Sequence, residues 1–389
     1  MHVSHVSLRS RCKLDSLPCG PATENRCRLY QLTSFWSSSL RLSFNTIRVQ
    51  KRVPLTISRG SYAGASNWCV SVEDEGVEGL GEAAEFSILG VEQSHASIGN
   101  DLTRCVSLLA DLSPWQRIEA ERRLIAANIC SAARAGIDIA MHDWAGKMAR
   151  YPVWRMLGGD RKSNSATSVT IGIATPQAAQ ERLAQWQSQG TVRAVKVKLG
   201  SRDGIEADRQ MMAAILEVIP DTVSISVDAN GGWSIDDAIL MCQWLADRNV
   251  DHVEQPLVQG GESHLGLLHR ESPIPIILDE SCCVSADIVR YADVIDGVNI
   301  KLMKCGGMTE ALRMIHTAKT FGLQVMLGCY SNTALGNTAA NQFASLVDYI
   351  DLDSHLNIVD DPFVGAQWSD GYLINNDLPG NGVAYANAS

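Results

Sequence analysis

The chain has 389 residues, a formal net charge of −10, a hydrophobic share of 46% and a charged share of 20%. This length predicts two or three domains, and this composition excludes a globally disordered protein. No apolar run approaches the length of about 20 residues that a membrane-spanning helix needs. The acidic balance also disfavours nucleic acid and anionic membranes as partners, because both are negatively charged.

The first 45 residues differ in composition from the rest of the chain. They are rich in serine and contain six basic but only two acidic residues. This composition is typical of an organelle transit segment, and an upstream start codon that adds disordered residues explains it equally well. We therefore assign 1–45 to an N-terminal extension outside the fold. Eleven cysteines without a CxxC motif indicate a reducing compartment, so we expect the cytoplasm, with organelle targeting as the alternative.

Residues 46–160 have the pattern of a small α+β domain. Strand patterns cover 46–55 and 65–72, and a Gly-rich turn follows the second of them. A long stretch from 114 to 148 repeats apolar residues at helical spacing, which predicts one extended helical region. We expect this domain to cap a second, larger one.

The middle of the chain, 161–361, alternates short apolar runs with amphipathic helical segments. Such alternation predicts βαβ units and a parallel sheet, and eight runs favour a closed (β/α) barrel over an open sheet. The loop-rich tail, 362–389, is expected to pack back on the small domain. The eight runs are 168–173, 194–199, 223–227, 251–254, 274–278, 297–300, 324–327 and 349–352.

Charged residues follow five consecutive runs, at the strand ends where barrels carry their chemistry. A lone Asp in such a place is ordinarily a helix cap and a lone Lys a solvated rim charge. Three converging carboxylates, however, would repel one another unless a cation neutralised them, and oxygen ligands suit Mg²⁺ first and Mn²⁺ second. The residues are Lys196 and Lys198 after the second run, Asp228 after the third, Glu254 after the fourth, Asp279 after the fifth and Lys301 after the sixth.

These motifs resemble those of the enolase superfamily, most closely its muconate-lactonising branch and, within it, the dipeptide epimerases such as L-Ala-D/L-Glu epimerase. The resemblance covers about 46–385. It implies a (β/α)7β modified TIM barrel with an α+β capping domain that the C-terminal tail completes, and a homo-oligomer. The motifs are VKVK at 195–198, VDAN at 227–230, EQP at 254–256, DES at 279–281, NIKLMK at 299–304 and DLD at 351–353.

The resemblance implies epimerisation at a carbon next to a carboxylate. Removal of that α-proton creates an enediolate, and Mg²⁺ held by Asp228, Glu254 and Asp279 would stabilise its charge. Lys198 and Lys301 come from opposite sides of the barrel. One would remove the proton from one face, and the other would return a proton to the opposite face. Lys196 is expected to add positive charge near the substrate carboxylate.

The remaining candidates are substrate contacts. Asp351 and Asp353 share one strand face and are expected to hold the protonated amino terminus of a dipeptide, unless one of them caps a helix. Arg59 could reach over the barrel mouth to a substrate carboxylate, or it is an ordinary surface arginine. Thr170 matches a substrate-contacting position of the epimerases loosely.

Two departures from the epimerase pattern leave the dipeptide's identity open. Asn332 stands where relatives often have Glu, and Ser354 with His355 stands where Ala-Glu epimerases commonly have Gly-Pro. Both segments are expected to line the pocket. His355 is either a substrate contact or a packed histidine, and packing is slightly favoured.

Three alternatives share the barrel. One is another enzyme of the branch: o-succinylbenzoate synthase, a cycloisomerase or an N-acylamino acid racemase. The paired aspartates at 351 and 353 favour a dipeptide epimerase, since substrates without a free amine do not need them. A sugar-acid dehydratase would generally need a His-Asp arrangement on the later strands. It is disfavoured because no histidine lies between His316 and His355. A binding protein on an inactive barrel is disfavoured because the three candidate metal ligands and both candidate bases are present.

Overall fold

The computed structural model describes residues 40–88, 91–161 and 164–386. Of the predicted extension, 1–39 therefore lies outside the described residues. The first strand begins at Arg41, inside the segment that the sequence analysis left out of the fold. Among the described residues, none of the helices combines the length and the apolar character that crossing a membrane requires.

The capping domain contains a three-stranded antiparallel sheet, a short hairpin and four helices. The sheet is ordered β1-β2-β3, and the helices pack on one of its faces. The strands are β1 Arg41–Ile57, β2 Gly60–Asp74, β3 Val77–Ala83, β4 Phe86–Ile88 and β5 Val91–Gln93. The helices are α1 His95–Leu109, α2 Arg117–Ala126, α3 Ser131–Ala149 and α4 Val153–Met156.

The predicted helical stretch from 114 to 148 is two helices, and a third precedes it. The chain breaks between α2 and α3, where Asn128 adopts a left-handed conformation with φ of 54°. Such a residue ends a helix because continued right-handed dihedrals are lost. The helix α1 was not predicted from the sequence.

The barrel follows as eight parallel strands in sequential order, and the bridge between Thr167 and Ile350 joins its first and last strands. The predicted barrel is thereby confirmed. The strands are β6 Ser168–Ile171, β7 Ala194–Lys198, β8 Ser224–Asp228, β9 Val253–Glu254, β10 Ile276–Leu278, β11 Gly297–Ile300, β12 Gln324–Gly328 and β13 Tyr349–Asp351. The helices are α5 Pro176–Gln189, α6 Ile205–Leu216, α7 Ile235–Ala246, α8 Leu265–Glu271, α9 Ser285–Tyr291, α10 Leu302–Cys305, α11 Met308–Thr320 and α12 Ala334–Asn341.

Side chains alternate along the barrel strand β7, so apolar residues face the hydrophobic core and the candidate site residues face the barrel interior. In β7, Val195 and Val197 are fully buried in the apolar core, while Lys196 and Lys198 lie on the other strand face, inside the barrel. Successive strand residues point to opposite faces, so two lysines spaced by two share the interior.

The C-terminal tail packs against the capping domain and adds four short strands. Asp143 of α3 accepts a hydrogen bond from the backbone of Asn381 at 2.7 Å. Gly380 has φ of 77°, and a Cβ there would lie 2.2 Å from Asp143 Oδ1, so only glycine fits this crossing. The strands are β14 Phe363–Val364, β15 Gln367–Ser369, β16 Tyr372–Ile374 and β17 Ala384–Tyr385.

The buried carboxylate of Glu82 joins the capping domain to the barrel. Its oxygens accept hydrogen bonds from Asn67 at 2.6 Å, from the backbone and hydroxyl of Thr333 at 3.1 and 2.9 Å, and from the backbone of Gly336 at 2.8 Å. Burial raises the pKa of Glu82, and these hydrogen bonds oppose the rise. The start of α12 is therefore fixed to strand β3.

Replacing Glu82 by alanine is expected to lower the free energy of unfolding by about 3 kcal/mol, because the buried donors of Asn67, Thr333 and Gly336 lose their acceptor. Urea unfolding followed by circular dichroism measures the loss. Glu217 is exposed, so Glu217→Ala is the matched control and should change stability by less than about 0.5 kcal/mol. Equal stability of the two variants would contradict this role of Glu82.

Candidate active site

The strand ends bring the predicted carboxylates together. The strand register pairs Lys198 with Asp228 and Asp228 with Glu254, so the three residues lie at one level of the barrel. Asp279 follows the next strand, β10, directly. The side chains of Asp228, Glu254 and Asp279 have no solvent-exposed surface.

Each carboxylate has a lysine ammonium as its partner. Lys198 Nζ lies 2.5 Å from Asp228 Oδ2, and Lys301 Nζ lies 2.7 Å from Asp279 Oδ2. Glu254 accepts from Lys196 Nζ at 3.0 Å, and its other oxygen accepts from the amide of Asn299 at 2.6 Å. The two lysines predicted as bases are thus at the strand ends, among the predicted metal ligands.

Burial and close contact shift the pKa values of these carboxylates and lysines. Burial, followed by repulsion from Asp228, raises the pKa of Glu254 to about 7. Burial lowers the pKa of Lys301, but attraction from Asp279 and Glu254 outweighs it and leaves the pKa above its ordinary value. For Asp279 burial raises the pKa, and the ammonium groups of Lys301 and Lys304 reverse this to a strongly lowered one. Lys301 and Asp279 therefore hold each other charged.

The donor set fits a hard divalent cation. All three carboxylates are oxygen donors on neighbouring strand ends, and a cation there would compensate both the burial of Glu254 and its repulsion by Asp228, which together raise its pKa. The carbonyl oxygen Oδ1 of Asn299 is buried beside them without a hydrogen-bond partner. Among the described residues, no three His, Cys, Asp or Glu side chains converge closely enough to hold a metal ion. Each of these carboxylates instead pairs with a lysine.

A cavity of about 360 Å³ lies between the barrel mouth and the capping domain. Its polar lining includes both predicted bases and both predicted amine-binding aspartates. Its apolar lining comes mainly from the capping strands, and Tyr330 stacks on Phe86 with ring centroids 4.6 Å apart. The polar residues include Thr170, Lys198, Asn230, Lys301, Asp351 and Asp353, and the apolar ones include Leu55, Ile57, Tyr62, Ala65, Phe86 and Tyr330.

Lys196 lies beneath this cavity and does not line it. Its side chain is 1% exposed, and its ammonium is paired with Glu254 and Asp351. Burial lowers the pKa of Lys196, but the attraction of Asp351 and Glu254 raises it well above its ordinary value. Lys196 is therefore a fixed positive charge under the site.

The two aspartates of the 351–353 motif differ in their partners. Asp351 accepts from the hydroxyl of Ser168 at 2.6 Å and pairs with Lys196. Asp353 accepts from the backbone of Thr170 at 2.6 Å, so Thr170 positions it through the main chain. Burial and the charge of Asp351 raise the pKa of Asp353 to about 6. Asp353 precedes a single 3₁₀ turn, Ser354–Asn357, but its side chain makes no capping hydrogen bond there.

Arg59 does reach the barrel mouth, where its charge already has a partner. Its guanidinium lies 2.8 Å from the carboxylate of Glu280 and donates to the backbone oxygen of Asn230 at 3.1 Å. The loop between β1 and β2 is thereby tied to the ends of β8 and β10. The sequence analysis missed Glu280, although it directly follows Asp279.

Asn332 and His355 are not on the cavity wall, but their neighbours Ser331 and Ser354 are. Asn332 is 4% exposed, and its side-chain oxygen Oδ1 accepts from the backbone of Tyr330 at 3.2 Å. His355 Nδ1 lies 2.9 Å from the amide of Asn337, and burial lowers the pKa of the imidazole to about 4. This environment is that of a packed, neutral histidine.

Two lysines of the site had no role in the sequence analysis. Lys304 is wholly buried and lies 2.6 Å from Asp279 Oδ1; its spacing of three after Lys301 was a usable signal. Lys51 enters the cavity from β1 and donates to the hydroxyl of Ser331 at 2.7 Å. Nothing in the local sequence around Lys51 distinguishes it from a surface residue.

A barrel with buried carboxylates and lysines at its strand ends, covered by an α+β capping domain, defines an enzyme of the enolase type. Residues 42–158 match the family model described as mandelate racemase / muconate lactonizing enzyme, N-terminal domain, and 178–389 match the enolase C-terminal domain-like model. The chain belongs to the mandelate racemase / muconate lactonizing enzyme family. The family and the barrel predicted from the sequence are both confirmed.

Curated relatives narrow the comparison. A hydrophobic dipeptide epimerase of Roseobacter litoralis is 40% identical over 352 residues, which cover 90% of this chain and all of that protein. An L-Ala-D/L-Glu epimerase of Bacteroides thetaiotaomicron is 34% identical over 349 residues, which cover 88% of each chain.

Solved structures give the same picture. The dipeptide epimerase of Cytophaga hutchinsonii, complexed with Mg and D-Ala-L-Val, superposes with a TM-score of 0.85 at 27% identity and covers 90% of this chain and 96% of its own. The dipeptide epimerase of Enterococcus faecalis, complexed with Mg and L-Leu-L-Tyr, gives a TM-score of 0.83 at 27% identity and covers 89% of this chain and all of its own.

Proposed function

We propose that this chain is a Mg²⁺-dependent dipeptide epimerase that inverts the α-carbon next to the C-terminal carboxylate. The observation that carries the proposal is the pair Lys198 and Lys301. Both line one cavity, and they come from β7 and the end of β11, the second and sixth of eight barrel strands. Strands four apart are on opposite sides of such a barrel, so the two ammonium groups approach a substrate from opposite faces.

The chemistry assigned to the chain is proton transfer between these faces. One lysine removes the α-proton as the neutral amine, and the other, as the ammonium, returns a proton to the opposite face. Asp228, Glu254 and Asp279 would hold Mg²⁺, which when bound supplies positive charge to the substrate carboxylate. With the charges of Asp279 and Glu254 neutralised in this way, Lys301 would lose the attraction that keeps its pKa high. Lys301 could then act as a base.

The proposed substrate is a dipeptide with a free amino terminus and an apolar side chain on its second residue. Asp351 and Asp353 are the carboxylates assigned to the amine, and Thr170 keeps Asp353 in position. Leu55 and Phe86 belong to the apolar wall, which suits the apolar side chain of that second residue better than a charged one. Relatives named hydrophobic dipeptide epimerases support this choice.

Exchange of the substrate α-proton in D₂O tests the function. With Mg²⁺, the enzyme is expected to exchange and epimerise L-Leu-L-Leu, as followed by proton NMR and by chiral chromatography. The N-acetylated dipeptide is the control, and it should react at least tenfold more slowly because it lacks the charge that the aspartates attract. Faster reaction of N-acetyl-L-leucine than of any free dipeptide would instead support an N-acylamino acid racemase.

Three further proposals come from the sequence. Mn²⁺ is expected to replace Mg²⁺, since both prefer oxygen ligands. The chain is expected to form a homo-oligomer, which light scattering of the purified protein tests. It is also expected to reside in the cytoplasm, which imaging of the full chain with a C-terminal fluorescent tag tests.

A further inference from the structure

Lys51 places a positive charge in the substrate cavity from the capping domain. It belongs to β1, and its side chain lines the same cavity as Lys198, Lys301 and Asp353. Its ammonium donates a hydrogen bond to the hydroxyl of Ser331, on the loop after β12, at 2.7 Å. This lysine therefore faces the space in which the substrate is proposed to lie.

The backbone around Lys51 is fixed to the barrel. Lys51 itself forms an antiparallel bridge with Ile358, and the backbone of Val359 donates to Gln50 at 3.0 Å. On the other side, the amide of Asn357 donates to the oxygen of Val53 at 2.7 Å. The main chain of Lys51 is thus held in place before any substrate arrives.

The charge of Lys51 has no direct counter-ion. Among the described residues it takes part in no ion pair, unlike Lys196, Lys198 and Lys301, which all pair with carboxylates. Burial lowers its pKa, and the electrostatic influence of Cys329 and Asp353 opposes this. An ammonium that is partly desolvated and hydrogen-bonded to a hydroxyl alone is stabilised by a ligand that brings a negative charge.

We propose that Lys51 is a specificity-determining residue that favours dipeptides with an acidic N-terminal side chain and disfavours those with Lys or Arg at that position. The proposal rests on the proposed function, in which Asp351 and Asp353 hold the amino terminus. The amine and the first side chain are attached to one carbon, so the first side chain is the part of the substrate nearest to the Asp353 end of the cavity. The carboxylates of Asp351 and Asp353 complement the amino terminus of the substrate, and the ammonium of Lys51 complements a carboxylate on its first side chain.

The surroundings of Asp353 strengthen the positive character of this end. Arg182 interacts electrostatically with Asp353 and donates to the side chain of Asn357, itself a lining residue, at 3.0 Å. A second positive charge on the first residue of the substrate would approach Lys51, with Arg182 behind the lining residue Asn357. Discrimination then arises from repulsion as well as from attraction.

The test compares kcat/KM for L-Glu-L-Leu, L-Leu-L-Leu and L-Lys-L-Leu in the wild type, Lys51→Met and Lys51→Glu. The wild type is expected to prefer L-Glu-L-Leu over L-Lys-L-Leu by roughly 100-fold, because charges about 4 Å apart interact strongly near a protein surface. Lys51→Met should reduce this ratio by about tenfold, and Lys51→Glu should invert it. Lys319→Glu, at an exposed position on α11, is the control and should leave the ratio unchanged.

Other outcomes overturn the proposal in distinguishable ways. A wild type that is inactive on all free dipeptides refutes the proposed function and this proposal with it. An active wild type whose ratio is unmoved by Lys51→Glu refutes the role of Lys51 alone. If the charge preference instead follows the second residue, in L-Leu-L-Glu against L-Leu-L-Lys, Lys51 acts at the other side chain and the proposal is wrong. Circular dichroism verifies that each variant is folded.

Discussion

Replacing Lys301 by alanine is expected to lower the rate of epimerisation by roughly 10³-fold, and Lys198→Ala should do the same, since positioned acid–base groups contribute about 10²- to 10⁴-fold. Inversion needs one proton to leave and another to arrive on the opposite face. Either lysine alone completes only half of this path. Polarimetry or chiral chromatography of L-Leu-L-Leu gives the overall rate.

Isotope exchange separates the two halves of the reaction. Each variant keeps the lysine on one face, so it should still exchange the α-proton of the one epimer that presents this proton to it. Lys198→Ala and Lys301→Ala are expected to retain opposite epimers. Lys319→Ala is the control at an exposed position and should exchange both at wild-type rates. Full epimerisation in either active-site variant would contradict the two-base assignment.

The sequence was sufficient to predict that the charged residues lie at the carboxyl ends of the barrel strands. Asp228, Glu254 and Lys301 each end or directly follow an apolar run, and the register aligns Asp228 with Glu254. The spacing of two within 196–198 also predicts that both lysines face the barrel interior. It does not say what lies across the interior. Lys196 is two residues, or about 6.6 Å, deeper than Lys198, which is enough to bury it under the cavity.

Sequence patterns did not predict which residues of the capping domain contact which residues of the barrel. The partner of Arg59 is Glu280, more than 200 residues away along the chain, and Lys51 meets Ser331 across a similar separation. No periodicity encodes which loop of one domain meets which strand end of another. The helix α1 was missed although Ile98, Leu102, Cys105 and Leu109 recur at helical spacing on its buried face.

The buried position of Lys304 implies a large effect on stability. Besides Asp279 Oδ1, its ammonium donates to the backbone oxygens of Asp279, of Cys282 at 3.0 Å and of Asn299 at 3.1 Å. It thereby ties the end of β11 to the turn after β10. Burial lowers the pKa of Lys304, but the charge of Asp279 raises it above its ordinary value. The lysine is a structural cation and does not line the cavity.

Substituting Lys304 by methionine keeps a similar volume but removes every one of these donors. The free energy of unfolding is expected to fall by about 3–5 kcal/mol, as when one partner of a buried ion pair is removed. Denaturant unfolding measures it, with Lys319→Met on exposed α11 as the matched control at less than about 0.5 kcal/mol. A loss below about 1 kcal/mol would contradict the structural role, because three carbonyls would then each lose a buried charged donor at almost no cost.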